Sequence, residues 1–169
     1  LTHAAGAKVA VDNTFASPCL VQPATLGADS VLHSSTKYLA GHGDVTGGVV
    51  AGSAERIAAL RDLSNLLGAT PGPFESWLTL RGIRTLALRM RQHGENARHV
   101  AGWLAAQPGV AAVHYPGSND AEHIFLGENR GGMVAFELAN ASQADVFRFL
   151  NALRLIKVAT TLGDVHSLV

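Results

Sequence analysis

Short apolar runs that end in polar tips dominate the first third of the chain. Ala7 to Val11 stops abruptly at Asp12-Asn13-Thr14, and Ser30 to His33 runs into Ser34-Ser35-Thr36-Lys37. A third run, Gly48 to Ala51, sits among glycines. Short, apolar runs with few charges predict strands covered on both faces in an α/β sheet. From Ser53 the period lengthens. Ile57, Leu60, Ser64 and Leu67 share one face of a helix, with Ser53 as its N-cap, Glu55 in its first turn and Gly68 as its stop. A longer helical pattern covers Phe74 to Gln107. Gly82 and Gly94 interrupt it, which predicts two helices with a bend near Gly82, ended by Pro108-Gly109.

The last third changes character. Val110 to His114 and the alternating Met133 to Leu138 read as strands around a polar loop, Tyr115 to Arg130. Ser142 to Leu153 reads as a helix capped by Ser142, and Ile156 to Ala159 as a final strand. The series predicts a small α+β unit beside the α/β one, with the boundary inside the long helical stretch: residues 1–87, then residues 88–169.

Composition narrows the field of partners. Of 169 residues, 47% are hydrophobic and 15% charged, so the chain can bury a core and is no disordered segment. The low charge also implies that some surface faces other protein. Thirteen basic and thirteen acidic residues cancel, and no basic stripe suggests nucleic acid. No apolar run is long enough for a membrane span. A single cysteine, Cys19, makes no internal disulfide and fits a reducing, cytoplasmic compartment. In Pro18-Cys19-Leu20-Val21 it reads as a small buried hydrophobe. The opening, LTHAAGAKVAVD, has no basic leader and reads as the interior of a domain.

Lysine is scarce, with Lys8, Lys37 and Lys157 only, and Lys37 follows a predicted buried strand. In open α/β sheets, sites form at the carboxyl ends of strands. A partly desolvated lysine there can be nucleophilic towards an aldehyde, and the hydroxyls of Ser34 and Thr36 could hold a phosphate with nearby N–H groups. The plain alternative is a solvated loop lysine. Asp12 ends the preceding strand. A carboxylate and an amine at neighbouring strand ends could face the two poles of one flat heterocycle, which is what pyridoxal phosphate requires; the alternative for Asp12 is an Asx turn capping its strand. Gly41-x-Gly43-x-x-x-Gly47 departs from the nucleotide-loop spacing. His33, His42 and Asp44 read as makers of structural hydrogen bonds, not as metal ligands.

Taken together, these residues form a pattern. Val11-Asp12-Asn13-Thr14-Phe15, Gly27-Ala28-Asp29, His33 to Tyr38 and Gly41-His42-Gly43-Asp44 resemble the trans-sulfuration (Cys/Met metabolism) family of pyridoxal-phosphate enzymes. Its members include cystathionine γ-synthase, cystathionine lyases, methionine γ-lyase and homoserine-ester sulfhydrylases. The resemblance continues through Pro73-Phe74, Leu80 to Leu86, Arg89-Met90, Tyr115-Pro116-Gly117 and Gly131-Gly132-Met133 to Thr160 through Leu168.

The resemblance implies a part of a fold type I, aspartate-aminotransferase-like protein: residues 1–87 from the three-layer cofactor-binding domain, residues 88–169 from the start of a smaller α+β domain. It implies that Lys37 is the catalytic lysine bound to pyridoxal 5'-phosphate, that Asp12 pairs with the ring nitrogen, and that Ser34 and Thr36 contact the phosphate. Thr161 would help seat the substrate. It stands where the family has a serine, keeping the hydroxyl and adding a methyl. The family chain is more than twice as long, and its phosphate-gripping glycine turn, ring-stacking tyrosine and carboxylate-binding arginine have no counterpart here. The expected activity is γ-elimination or γ-replacement on a sulfur-containing or homoserine-derived amino acid by a homotetramer of dimers, with negligible turnover by the 169 residues alone. Subtype cues conflict. Thr160 replaces a glutamate frequent in cystathionine-processing members, and Leu162-Gly163-Asp164 is similar to methionine γ-lyases and sulfhydrylases. Ser64-Asn65 is closer to the cystathionine enzymes. The competing expectation is an inert piece of such an enzyme that holds no cofactor.

Overall fold

A computed structural model describes residues 2–117 and 128–169. The chain divides into two compact units, one up to Leu86 and one from Ala87. The first is built on a three-stranded sheet, β1 (Ala10–Asp12), β2 (Ser30–Ser34) and β3 (Gly48–Gly52), in that order. β1 runs parallel to β2, pairing Asp12 with Leu32, and β3 runs antiparallel to β2. A parallel pair needs a crossover, here a one-turn helix, α1 (Ser17–Leu20), and a tight turn at Pro23–Leu26. Asn13 staples this crossover: its Nδ2 donates to the carbonyls of Ser17 (3.1 Å) and Val21 (2.8 Å).

The opposite end of the sheet is held by Asp29, just before β2. Its carboxylate accepts from Val9 N (2.8 Å) and His3 Nε2 (2.9 Å), and lies 3.3 Å from both Lys8 Nζ and Arg56. Three other chain segments therefore converge on one carboxylate. The Val9 N–H and the His3 hydrogen bond, with help from Lys8, hold it far below the ordinary carboxylate range, against the upward pull of burial.

The helices fall close to expectation. α2 (Ala54–Leu67) starts at Ser53, whose side chain accepts from Arg56 N, and stops at Gly68, whose φ of 72° suits glycine. α3 (Pro73–Ile83) and α4 (Leu86–Ala105) are separated at Arg84-Thr85. Thr85 caps the break by donating to Gly82 O. On α3, Phe74 stacks on Trp77 at 5.9 Å, and the Arg81 guanidinium lies over the Trp77 ring.

In the second unit β4 (Val110–His114) pairs antiparallel with β5 (Ala135–Leu138) through a bulge between Val110 and Ala112. α5 (Gln143–Ala152) carries a reciprocal capping box between Ser142 and Asp145, and Phe149 meets Phe136 edge-on at 5.8 Å. On α4 the buried positions Met90, Gly94, Ala97, Ala101 and Leu104 form one stripe. Gly94 lets another segment come close. Asn129 Nδ2 donates to Met90 O, and Tyr115 OH donates to Gly94 O and Gly131 O.

Four expectations are corrected. β3 is exposed along its whole length, and Leu32 of β2 is exposed while Val31 and His33 are buried. The strands are short and apolar, yet only one face of β2 is covered. Among the described residues, α2 approaches β3 at Gly52 through Arg56 and Ile57, and Val49 and Val50 stay exposed. α2 has no buried residue, and Leu67 is among its most exposed. Ile156 to Ala159 forms no strand: Lys157 makes a single bridge to Leu168. Cys19 is exposed, because α1 is one turn long and turns only Ser17 inward. The Tyr115 to Arg130 loop lies largely outside the described residues.

Two outcomes follow from this packing. Asp29's carboxyl is more acidic folded than unfolded, so the stability it contributes is present above about pH 4, its ordinary range. That stability is lost as the pH falls through the lower folded value. Urea midpoints measured from pH 7 to pH 2 should fall at the acid end for the parent chain. Asp29→Asn should lower the midpoint at pH 7 and flatten its acid dependence. A Cβ at Gly94 would run into the side-chain oxygen of Asn129, so Gly94→Ala should cost about 1–3 kcal/mol in a denaturant titration.

Candidate active site

β1 and β2, running parallel, deliver their carboxyl ends side by side, with Asp12 at one tip and Ser34 at the other. A wide turn, Ser35–Leu39, follows at once. Lys37 breaks its helical path, with φ −93° and ψ −129°. The turn is anchored from beneath, where Tyr38, Leu39 and Ala40 are all buried. It is anchored laterally by Gly47: Ser35 N donates to Gly47 O (2.9 Å), and Gly47 N donates to Thr36 Oγ1 (3.0 Å). Gly41 N closes it on Lys37 O at 2.8 Å. α3 presses on the same turn through Gly82, where a Cβ would sit 2.7 Å from Ala40 Cα.

An open depression of about 510 Å³ lies above these tips, lined by Asp12, Asn13, Thr14, Phe15, Ala16, Ser34 and Lys37. Three of the residues expected at a cofactor site, Asp12, Ser34 and Lys37, therefore share one cavity. Thr36 is not in its lining; its hydroxyl is committed to the Gly47 backbone. Thr161 belongs to the second unit. There it is exposed, in a loop whose ends are joined by Lys157 N to Ser167 O and Val169 N to Lys157 O. Within that loop Asp164 Oδ1 accepts from His166 N and His166 Nδ1.

The Asx-turn reading of Asp12 is what the hydrogen bonds show. Its Oδ1 accepts from Thr14 N (3.0 Å), an Asx turn, and from Thr14 Oγ1 (2.6 Å). Its Oδ2 makes no hydrogen bond among the described residues. The Thr14 hydroxyl and then the Thr14 N–H lower the Asp12 pKa. Burial opposes them and nearby His33 adds to them. His33 is itself pushed down by burial against the pull of Asp12, and its buried Nδ1 has no hydrogen-bond partner. The pair thus favours an anionic carboxylate beside a neutral imidazole. The expected structural hydrogen bond is missing at His33 Nδ1 but present at His42, whose Nδ1 donates to Ala40 O at 2.6 Å. Among the described residues no three His, Cys, Asp or Glu side chains group as metal ligands, and no helix is long and apolar enough to cross a membrane.

Asp12 and Lys37 are the residue types that a pyridoxal cofactor needs, an anion for a ring nitrogen and an amine for an aldehyde, and the cavity brings them together. The sequence model of the Cys/Met metabolism PLP-dependent enzymes matches residues 1–169. The chain belongs to that family. It is 46% identical over 169 residues to the L-methionine gamma-lyase of Pseudomonas putida, covering 96% of this chain and 42% of that protein. To the cystathionine gamma-lyase of Bacillus subtilis it is 45% identical, over 98% of this chain and 44% of the relative. The fold superposes on the crystal structure of cystathionine gamma synthase from Xanthomonas oryzae pv. oryzae in complex with aminoacrylate and cysteine. The TM-score is 0.93 with 43% identity, covering 99% of this chain and 44% of that one. The cystathionine gamma-lyase of Lactobacillus plantarum, complexed with L-serine, superposes with a TM-score of 0.92 at 37% identity, over 99% of this chain and 45% of that one. The chain therefore spans less than half the length of these relatives, and its α/β architecture is that of fold type I PLP-dependent enzymes.

Thr14 lines the cavity beyond the expected residues, and its spacing two residues after Asp12 is an Asx-turn signal. No sequence signal places His33 within electrostatic reach of Asp12. The Thr36 arrangement is testable. Thr36→Val removes the acceptor of Gly47 N–H and should cost about 1–3 kcal/mol, whereas Thr36→Ser should cost far less. Thermal or denaturant unfolding of both variants reads the difference.

Proposed function

We propose that the full-length protein carrying this chain uses pyridoxal 5'-phosphate for γ-elimination or γ-replacement on a sulfur-containing or homoserine-derived amino acid. The observation that carries this reading is the shared cavity of Asp12, Ser34 and Lys37. Lys37 Nζ is the group that binds the cofactor's aldehyde, Asp12 pairs with its ring nitrogen, and Ser34 contacts its phosphate. Thr36 is assigned to the phosphate as well, through a hydroxyl shared with the Gly47 backbone. When bound, the cofactor supplies an electron sink for the carbon next to the substrate's amine. Lys37 Nζ is the amine placed to move protons at the substrate: it would take the α-carbon proton and, once it had passed that proton on, take one from the β-carbon, so that the γ-substituent could leave with the electron pair of its bond. The anionic state of Asp12, favoured by its hydrogen bonds with Thr14, keeps the ring nitrogen protonated. Thr161 is assigned to seating the substrate near its carboxylate.

The same reading takes residues 1–87 as part of the large cofactor-binding domain and residues 88–169 as the start of the smaller one, supported by the division after Leu86. It takes the assembly as a homotetramer of dimers, supported by the exposed Leu66, Leu67, Phe74, Trp77 and Leu80. It takes the compartment as cytoplasmic, supported by a lone thiol.

The full-length protein, incubated with pyridoxal phosphate, should develop a yellow absorbance that borohydride removes and that Lys37→Ala abolishes. It should release product from at least one of cystathionine, methionine or an O-acylhomoserine. A reducible band that survives Lys37→Ala would move the covalent site elsewhere. No band in the parent protein would favour the inert reading.

A further inference from the structure

Thr14 is nine-tenths buried, and its N–H and its hydroxyl are engaged with two neighbours, Asp12 and Ser34. Its N–H and its hydroxyl both donate to the same oxygen of Asp12, at 3.0 and 2.6 Å, and its hydroxyl oxygen accepts from Ser34 N at 2.8 Å. The direction of this chain is fixed by the donors. Ser34 N–H can only donate, so the Thr14 oxygen receives there, and its own proton is left for the carboxylate. The rung is unusual in the ladder. Asn13 N donates to Leu32 O, and in a parallel pair the next N–H along β2, that of Ser34, would meet Asn13 O. That carbonyl instead accepts from Ser17 N, and the Thr14 hydroxyl takes its place.

We propose that Thr14 is a positioning residue for the proposed reaction: it clamps Oδ1 of Asp12 to the Ser34 backbone, so that Oδ2 alone is presented to the ligand. Two consequences follow for the cavity. The carboxylate cannot rotate without giving up two hydrogen bonds, and its distance from the turn bearing Lys37 is set by one side chain. The inference rests on the assignment of Asp12 to the cofactor's ring nitrogen, and its test separates the two.

In the full-length enzyme, Thr14→Ser keeps the hydroxyl, Thr14→Val keeps the shape without it, and Asp12→Asn serves as the reference for a lost anion. Each is measured for kcat, KM, pyridoxal-phosphate retention by equilibrium dialysis, and the pH dependence of the cofactor absorbance. A hydrogen bond to a charged group is worth about 1.5–3 kcal/mol, so Thr14→Val should lower kcat about 10- to 100-fold. It should also loosen the cofactor and shift the absorbance profile in the same direction as Asp12→Asn, with KM little changed. Thr14→Ser should match the parent in all four. Parent-like kcat and absorbance in Thr14→Val would overturn the proposal. So would loss of folding in both Thr14→Val and Thr14→Ala with Thr14→Ser intact, which would make Thr14 a residue of strand pairing only. If Asp12→Asn retains cofactor and parent-like absorbance while Lys37→Ala loses them, the assignment of Asp12 fails, and with it the proposal. If the parent holds no cofactor at all, the functional reading fails first.

Discussion

The hydrogen-bond chain from Ser34 N–H through the Thr14 hydroxyl to Asp12 fixes how the ends of β1 and β2 sit relative to each other. Strand ends are where backbone pairing stops, and without further ties each tip would be free to splay. Here the last backbone rung is replaced by a side chain, and the same oxygen that completes the ladder also orients the carboxylate. Placement of Asp12 and continuity of the sheet are one constraint. The coupling runs from the buried Thr14 to an exposed carboxylate, so one buried hydroxyl orients a group that faces the open cavity.

The lysine side of the cavity depends on a different principle, close approach. The turn carrying Lys37 has little regular structure of its own, and it is held by packing at positions that tolerate no side chain. Gly82 lets α3 lie against Ala40, and Gly47 brings its backbone to Ser35 and Thr36. Both glycines lie outside the turn itself, so the turn is shaped by contacts from beyond its own segment. The second unit repeats the device at Gly94, beside Asn129 and Tyr115. A helix glycine in each unit, Gly82 and Gly94, thus lets a neighbouring segment pack against the helix.

Much was legible in the letters because it depends on neighbours in sequence. Ser53, Gly68 and Ser142 mark helix ends through hydrogen bonds that span three to five residues. The alternation in β5 follows from the two-residue pleat, leaving Phe136 and Leu138 half-buried and Glu137 exposed. The pairing of a lysine and an aspartate after successive apolar runs was visible too. Burial was not. β3 and α2 carry apolar letters but lie exposed, since burial depends on what packs over a surface and not on the surface's own composition. The same holds for Cys19.

By itself, the sequence determined the order of elements, their caps and breaks, and the family to which the chain belongs, because these reside in local chemistry and in blocks of residues that keep their spacing. Only the tertiary structure decided that Asp12, Ser34 and Lys37 line one cavity while the Thr36 hydroxyl turns to Gly47, and that one oxygen of Asp12 is already taken. Those outcomes depend on the parallel register of β1 with β2 and on the return of Gly47 to the lysine turn. Both are contacts between segments distant in the chain, which no local spacing specifies.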